Sequence, residues 1–309
     1  MNKTAVLEFI FLGFQNPPQI NHVLFVLFLV IYIMIIVGNL LIVILVAKVQ
    51  SLNAPMYFFL SQLSLSDILL TTNIVPNMLH VIFNGRSTIS ITGCIVQFYF
   101  FAATVATECL LLTVMSYDRY LAICRPLHYT SIMDFDLQVK LALWSWIFSF
   151  LIVLVLVFLI NDIQFCEPPF IDHYFCDLAP VVQLSCSKNS IVEKADFVMA
   201  IPLAVVPFFF IVFTYVSIFK TIFGISSPGG TKKFFSTCSS HLIVVSTYYG
   251  TIIIVYMTPS KGQLFNINKV ISLLYTMGTP FFNPIIYSFR NQEIKNALIK
   301  CLLALTQKK

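Results

Sequence analysis

Long uncharged apolar stretches alternate with short polar connections along the whole chain. Most of the stretches reach the roughly 20 residues that an α-helix needs to cross the hydrocarbon core of a bilayer. The alternation typical of a transmembrane barrel strand is missing, and a helix satisfies its own backbone hydrogen bonds in lipid. We therefore predict seven transmembrane helices and no strands. The predicted helices span residues 23–47, 56–80, 93–124, 139–160, 196–222, 234–258 and 269–289.

The composition is that of a membrane protein. Of the 309 residues, 59% are hydrophobic and 10% are charged, which is far from the mixture in a soluble domain. After residue 290 the apolar positions fall on one helical face, which predicts an amphipathic helix on the inner leaflet. These positions are Ile294, Leu298, Cys301, Leu302 and Leu305. The predicted fold class is an all-α membrane protein, a seven-transmembrane helix bundle with a short C-terminal amphipathic helix.

The distribution of Lys and Arg predicts the orientation. Of the 18 basic residues, twelve fall on one predicted face of the membrane and six on the other, so the richer face is cytoplasmic. This places residues 1–22 outside the cell and residues 290–309 in the cytoplasm of a multi-pass plasma-membrane protein. The net charge of +5 then reflects topology and does not indicate a nucleic-acid partner. Asn2, in Asn2-Lys3-Thr4, is a predicted glycosylation acceptor on the outer side.

The eight cysteines divide by the predicted side of the membrane. Four fall on the outer side, where disulfides persist, and four cysteines permit three pairings. They are Cys94, Cys166, Cys176 and Cys186. Their spacing lacks a Cys-x-x-Cys pair, so a metal site is the less favoured alternative. The other four, expected to be free thiols, are Cys109, Cys124, Cys238 and Cys301, and the last is either palmitoylated or an unmodified buried thiol.

Two carboxylates fall deep inside the predicted bundle. Ionisable side chains in a membrane are costly, so Asp67 and Glu108 each suggest a function. Asn39 and Asn283 add polar groups near the middle of their own helices. Oxygen atoms from these four residues suit a small hard cation such as sodium. The alternative is a hydrogen-bonded cluster that holds the helices together without an ion. We expect no other cofactor.

Asp118-Arg119-Tyr120 lies at the inner end of the third predicted helix. An arginine beside an aspartate can alternate between pairing with that neighbour and contacting an inserted partner, which makes a plausible switch. The simpler alternative is an arginine that snorkels to the interface. The cytoplasmic connections are too short for a catalytic domain, and the spans lack His-Glu-x-x-His and Gly-x-Ser-x-Gly motifs. We therefore do not expect an enzyme, and any output must come from a partner protein.

Asp118-Arg119-Tyr120 and Asn283-Pro284-Ile285-Ile286-Tyr287 resemble the signature motifs of rhodopsin-like (class A) G protein-coupled receptors. Five blocks narrow the resemblance to the olfactory (odorant) receptors. They are residues 55–60 (PMYFFL), 115–124 (MSYDRYLAIC), 126–129 (PLHY), 235–242 (FSTCSSHL) and 280–291 (PFFNPIIYSFRN). The resemblance extends from about Leu12 to Leu298 with matching spacing.

The resemblance implies a receptor that binds small, mostly apolar odorants in the outer half of the bundle. It also implies coupling to a heterotrimeric G protein of the stimulatory, olfactory type, which raises cyclic AMP. The implied disulfides are Cys94–Cys176 and Cys166–Cys186, and the implied switch residues are Asp118, Arg119, Tyr215 and Tyr287. Pro207 and Pro284 are suitable kink points. The alternative function is a cation channel or transporter that uses the two intramembrane carboxylates.

By position, the ligand contacts fall on the third, fifth and sixth helices, under an outer loop of residues 161–196 that can form a lid. They are Phe101, Ala102, Thr104, Val105, Met199, Leu203, Val206, Tyr249, Ile252, Ile253 and Tyr256. Each apolar position is open to the alternative of lipid contact or packing. The outer halves of these helices carry no charge, so a neutral ligand fits better than a cationic amine. Thr104 and Tyr256 are expected to offer one orienting hydrogen bond each.

The chain departs from the family pattern at Tyr248, where a phenylalanine is usual. The added hydroxyl group lies inside the membrane, so it must find a hydrogen-bond partner there. Further departures occur at Asn53, where a histidine is usual, and at Thr214, where a serine is usual, and none of the three removes a switch residue.

Overall fold

The structure is a computed structural model that describes residues 7–166, 168–186, 190–224, 228–257 and 265–306. Seven long helices pack as a bundle in this described part of the chain. The first four are Pro18–Lys48, Pro55–Asn84, Ile91–Cys124 and Phe135–Asn161. The fifth comprises Ser190–Ala200, Ile201–Val205 and Val206–Gly224, and the sixth is Pro228–Met257. The seventh comprises Phe265–Leu273, Leu274–Gly278 and Thr279–Arg290, and the C-terminal helix is Gln292–Thr306.

Several helices extend beyond their predicted ends because local capping residues set the boundaries. The first begins at Pro18, since a proline suits a first turn where its missing N–H is not needed. The second ends at Asn84, where Gly85 adopts the left-handed conformation with φ of 75°. The fourth begins after Asp134, whose side chain accepts a hydrogen bond from the Leu137 N–H. The apolar pattern marks only the part of each helix that lies in hydrocarbon.

Large apolar side chains cover the outside of the bundle as well as its interior. Val23, Leu151 and Phe209, on the first, fourth and fifth helices, are each more than half exposed. Lipid solvates such a surface, whereas water would not. By length and composition, five of the described helices are able to cross a membrane, and the sixth contains the shorter apolar stretch Cys238–Ile254. The architecture is the predicted seven-helix membrane bundle.

A small β-sheet at one end of the bundle corrects the prediction that the fold is purely helical. Strand β1 (Glu8–Phe11) pairs antiparallel with β2 (Ser87–Ser90) and parallel with β3 (Phe170–Ile171). These segments connect or precede helices, outside the apolar stretches, where water can satisfy the edges of a sheet. We call this end of the bundle the sheet end, and the opposite end, with the C-terminal helix, the tail end.

Two disulfides fasten the long loop at the sheet end. They join Cys94 to Cys176 and Cys166 to Cys186, so both predicted pairings are confirmed. The first ties the loop to the beginning of the third helix, and the second closes a loop within it. The four predicted free cysteines are confirmed as free.

Two π-helical turns interrupt the fifth and seventh helices, at Ile201–Val205 and Leu274–Gly278. Prolines lie in or just after each turn, at Pro202 and Pro207 in the fifth helix and Pro280 in the seventh. A proline donates no backbone hydrogen bond, and π turns are frequent at functional sites. The irregular turns precede the prolines predicted as kink points, Pro207 and Pro284, and the turns themselves were not predicted from the sequence.

Candidate functional site

A buried polar cluster joins the first, second, third and seventh helices. Asn283 Nδ2 donates to the two carboxylate oxygens of Asp67, at 3.0 and 3.3 Å. Asn39 Nδ2 donates to the backbone carbonyl of Pro280, one turn earlier on the seventh helix, at 3.0 Å. Glu108 is 1% exposed and lies close enough to Asp67 for the two charges to repel each other. The structure thus brings the four predicted polar residues into one region.

A close approach of the first and seventh helices makes this cluster possible. Gly38 precedes Asn39, and a Cβ atom at Gly38 would lie 3.2 Å from Cγ of Pro284. A side chain at position 38 would therefore require the Pro284 ring to move by a few tenths of an ångström, so Gly38 allows the present close contact.

The cluster contains oxygen atoms that a cation can use. Among the described residues, Asn39 Oδ1 and Glu108 Oε1 are buried without a hydrogen-bond partner. Burying an unpaired polar atom is costly, and a small hard cation with oxygen ligands removes that cost. No group of three or more His, Cys, Asp and Glu side chains able to hold a metal ion occurs in the described ranges. The donor set, two carboxylates and two amides, suits an alkali cation rather than zinc.

At the tail end, Arg119 is held by its neighbour Asp118. The guanidinium contacts Asp118 Oδ2 through Nη2 and donates to it from Nε at 2.9 Å. The Tyr129 hydroxyl donates to the other carboxylate oxygen, Oδ1, at 2.8 Å. Burial and the nearby Asp118 charge raise the pKa of this tyrosine, so its hydroxyl remains a donor. Arg119 is 12% exposed in this arrangement, which differs from an arginine that snorkels freely to the interface.

Two tyrosines of the predicted switch lie close to this ion pair. The Tyr215 hydroxyl is 2.6 Å from Nδ1 of His241 on the sixth helix, and both side chains are buried. The Tyr287 hydroxyl is buried and has no hydrogen-bond partner among the described residues. The charge of Arg119 acts on both tyrosines, and that of Asp67 acts on Tyr287. Tyr287 therefore lies between the polar cluster and the ion pair.

Three contacts of this region were not predicted from the sequence. His241 fell within a family block without an assigned role, and Tyr129 fell in a connection. Tyr57, in the first turn of the second helix, donates to Asn291 Oδ1 at 3.1 Å or to Glu293 Oε2 at 2.8 Å. Each partner is distant in sequence or on another helix, so helical periodicity carries no signal for these contacts.

Above the switch, several predicted ligand contacts line an apolar interior that we call the upper core. The Phe101 ring lies 5.0 Å from the Phe175 ring and 5.8 Å from the Tyr275 ring. The Tyr249 ring lies 5.1 Å from that of Phe208. The predicted residues that pack in this interior are Phe101, Ala102, Val105, Met199, Leu203, Tyr249 and Ile252. They belong to the third, fifth and sixth helices, as the ligand hypothesis requires.

Tyr248 has the partner that the sequence required. Its hydroxyl donates to the backbone carbonyl of Val105 at 2.6 Å and accepts from the Cys109 thiol at 3.3 Å. The hydroxyl that this chain adds to the family pattern therefore ties the sixth helix to the third at the base of the upper core.

Other predicted ligand contacts lie outside the upper core. Val206 is 57% exposed and Ile253 is 50% exposed, so both face outward and suit lipid contact. The Thr104 hydroxyl is directed to the carbonyls of Phe100 and Phe101 of its own helix, at 2.7 and 2.9 Å. Threonine commonly bonds the preceding turn in this way, so it is not the orienting donor that was expected. The Tyr256 side chain and Asn2 lie outside the described residues.

The upper end of the fifth helix is more charged than the sequence suggested. The helix begins at Ser190 rather than at residue 196, so its first turns carry Glu193 and Asp196. Asp196 lies close enough to Asp177 for their charges to interact. Burial raises the pKa of the Asp177 carboxyl, while the Leu178 N–H, which donates to it at 2.8 Å, opposes that rise. Asp177 Oδ2 also accepts from the Tyr275 hydroxyl at 3.4 Å, and the predicted ligand contacts themselves carry no charge.

His173, in the long loop, is buried between aromatic rings and a cation. Its ring lies 4.6 Å from that of Tyr174 and 4.7 Å from that of Phe175. Burial, with a smaller effect from the charge of Lys269, lowers the pKa of His173 from 6.5 to about 3. The folded protein therefore favours the neutral imidazole.

Acid is expected to destabilise the folded protein through His173. Between pH 6.5 and about 3 the unfolded chain binds a proton at this residue that the folded chain excludes. The free energy of unfolding is therefore not reduced by His173 above pH 6.5. Below that pH, this residue lowers it by at most about 1.4 kcal/mol for each pH unit. Thermal melting of the purified protein from pH 7.5 to 5 measures this, and His173→Gln should flatten the slope. An equal slope in both proteins would contradict the assignment.

Comparisons with known proteins agree with this geometry. The family model described as Olfactory receptor matches residues 28–305. Human olfactory receptor 6B1 is 44% identical over 299 residues, covering 97% of this chain and 96% of that protein. Rat olfactory receptor-like protein I9 is 41% identical over 301 residues, covering 97% and 96%. The crystal structure of squid rhodopsin superposes with a TM-score of 0.74 over 94% of this chain and 87% of that chain, at 16% identity, which shows a shared fold.

Proposed function

Because this chain belongs to the olfactory receptor family of rhodopsin-like G protein-coupled receptors, we propose that it detects small, mostly apolar odorants and activates a stimulatory G protein. The family consists of signalling receptors of the membrane, not of enzymes. The stimulatory, olfactory type of G protein and the resulting rise in cyclic AMP belong to the proposal.

One observation carries the proposal. Arg119 pairs with Asp118, which also accepts from Tyr129, while the buried hydroxyl of Tyr287 has no hydrogen-bond partner among the described residues. Leaving a buried polar group unpaired costs about 1–3 kcal/mol, so Tyr287 gains by finding a new partner. An outward movement of the sixth helix would free Tyr215 from His241. Arg119, Tyr215 and Tyr287 could then rearrange around an inserted segment of the G protein. We assign the present contacts of Arg119 with Asp118 and of Tyr215 with His241 to the resting state of a two-state element.

The side chains of the upper core favour a neutral ligand over a charged one. The predicted contacts, among them Phe101 and Tyr249, are aromatic and aliphatic and carry no charge. A cationic amine placed between those two rings would lose its hydration without gaining a counterion. Small apolar molecules gain from burial there in proportion to the area that they remove from water.

A panel of odorants, applied to cells that express the receptor, a stimulatory G protein and a cyclic AMP reporter, tests the proposal. We expect at least one member to raise cyclic AMP in a concentration-dependent way. The channel alternative predicts cation current in liposomes that hold the receptor but no G protein. Current without any cyclic AMP response would overturn the proposal.

The orientation belongs to the same proposal. The sheet end, with both disulfides, is assigned to the outside of the plasma membrane, where disulfides persist. The tail end, with Arg119 and the C-terminal helix, is assigned to the cytoplasm, where a G protein is available. Impermeant antibodies against tags at the two termini test this, since only the N-terminal tag should be labelled on intact cells.

Sodium binding at the polar cluster is a further part of the proposal. At a concentration about ten times Kd, sodium should stabilise the folded receptor by about 1.4 kcal/mol, a few degrees in Tm. Asp67→Asn removes the charge that attracts the ion and should abolish the difference between melting in sodium and in choline. Asp136→Asn, at an exposed carboxylate of the fourth helix, is the matched control. A sodium response that survives Asp67→Asn would show that the ion acts elsewhere, and no sodium response in the unmodified receptor would favour the cluster without an ion.

A further inference from the structure

A buried lysine fastens the N-terminal segment to the bundle. Lys269, near the upper end of the seventh helix, is 1% exposed, although a lysine is rarely buried without a partner. Its Nζ donates to the backbone carbonyl of Gly13 at 2.9 Å and pairs with Asp172 Oδ1 at 2.5 Å. Gln15 Nε2 donates to the same carboxylate oxygen at 2.8 Å. We call Lys269, Asp172 and the Gly13 carbonyl the latch.

The segment that the latch holds, residues 8–15, crosses the sheet end as a strap. Phe9 and Phe11 are both 0% exposed, and the Phe14 ring stacks 5.4 Å from that of Tyr174. Three strap amides donate to loop carbonyls. The bonds run from Ile10 to Pro169 at 2.9 Å, from Leu12 to Ile171 at 3.0 Å, and from Gly13 to His173 at 3.2 Å.

The loop beneath the strap also contacts the upper core. Phe175 meets Phe101 at 5.0 Å between ring centroids. The Tyr174 hydroxyl is 3.3 Å from Oγ1 of Thr276, which lies in the π-helical turn of the seventh helix. Residues 172–176 thus touch the latch, the strap and the ligand-facing aromatic rings within one short stretch.

We propose that the strap is a cover over the sheet end of the upper core, and that the buried Lys269 latch keeps it closed. Opening the latch frees the strap and the loop strand that it pairs with, which admits water and small solutes to the upper core. The role of this cover in odorant access rests on the proposed function, whereas the latch itself does not.

Hydrogen exchange and thiol labelling of the full-length receptor in lipid nanodiscs test the latch without an odorant or a G protein. Lys269→Met should speed exchange of the Ile10, Leu12 and Gly13 amides by about tenfold or more, because local opening sets their protection. Lys140→Met is the matched control, since Lys140 forms an ion pair of the same 2.5 Å length that is exposed at the surface. It should leave the strap amides unchanged.

Native cysteines report where water gains access. Cys109 lies at the base of the upper core, and Cys238 is equally buried but at the tail end. With a small neutral methanethiosulfonate and peptide mass spectrometry, Lys269→Met should raise the labelling rate of Cys109 severalfold and leave that of Cys238 unchanged. Asp172→Asn, which keeps the lysine, should give the same pattern more weakly and serves if Lys269→Met does not fold. Unchanged strap exchange in the variant that folds, or equal gains at both cysteines, would overturn the proposal.

Discussion

Replacing Arg119 with alanine is expected to reduce the odorant-stimulated cyclic AMP response to that of cells without the receptor. The guanidinium is a charged group at the tail end that pairs with Asp118 and is placed to leave it for an inserted partner. Alanine offers neither charge nor reach. Arg125→Ala is the matched control, because Arg125 is an exposed arginine six residues further along at the same end. Cyclic AMP is measured at equal surface expression.

The same geometry predicts the opposite result for Asp118→Asn. The asparagine removes the charge that confines Arg119, so the resting state loses stability relative to the active one. A differential loss of about 1.4 kcal/mol shifts the two populations tenfold. Basal cyclic AMP should therefore rise without odorant. This variant also covers the case in which Arg119→Ala misfolds, since alanine leaves a fully buried Asp118 unpaired. A normal odorant response in Arg119→Ala would refute the switch.

How far the sequence predicts this fold depends on whether the decisive contacts are local. The helices follow from apolar stretches, and their membrane location follows from the same pattern. The strands were missed because Glu8–Phe11 is only four residues long and its partners lie about 80 and 160 residues away. A short segment outside the hydrocarbon carries too little periodicity to indicate a sheet.

The candidate site divides in the same way. Asp67, Glu108 and Arg119 were identified because a charge in an apolar helix is conspicuous in any sequence. Lys269 was counted only as a basic residue of the outer face, yet it is buried, because its partner Asp172 lies 97 residues earlier in the chain. Val206 and Ile253 show the converse error. An apolar residue on a membrane helix looks the same in sequence whether it faces the interior or the lipid, so only packing separates the two.

Removal of the disulfides is the second change for which we expect a large effect, and the two bonds should differ. In the chain-entropy description, a bond contributes more when it closes a longer loop. Cys94–Cys176 spans 82 residues and Cys166–Cys186 spans 20. The corresponding contributions are about 4.5 and about 3.3 kcal/mol. The double variant Cys94→Ser, Cys176→Ser should therefore lose more stability and more surface expression than Cys166→Ser, Cys186→Ser.

The Cys94–Cys176 bond also has a local role that loop entropy does not include. It holds Cys176, and with it Phe175, against the third helix at Phe101, and the Cys176 N–H donates to Gln97 at 2.9 Å. Its loss should therefore weaken the odorant response of the receptors that still reach the surface. Cys124→Ser, Cys301→Ser removes two free thiols and is the matched control for cysteine replacement as such. Thermal melting and surface staining measure the first effect, and cyclic AMP per surface receptor measures the second. If both disulfide variants melt at the temperature of this control, the bonds do not stabilise the bundle, and the aromatic contacts, the hydrogen bonds to the strap and the latch hold the loop instead.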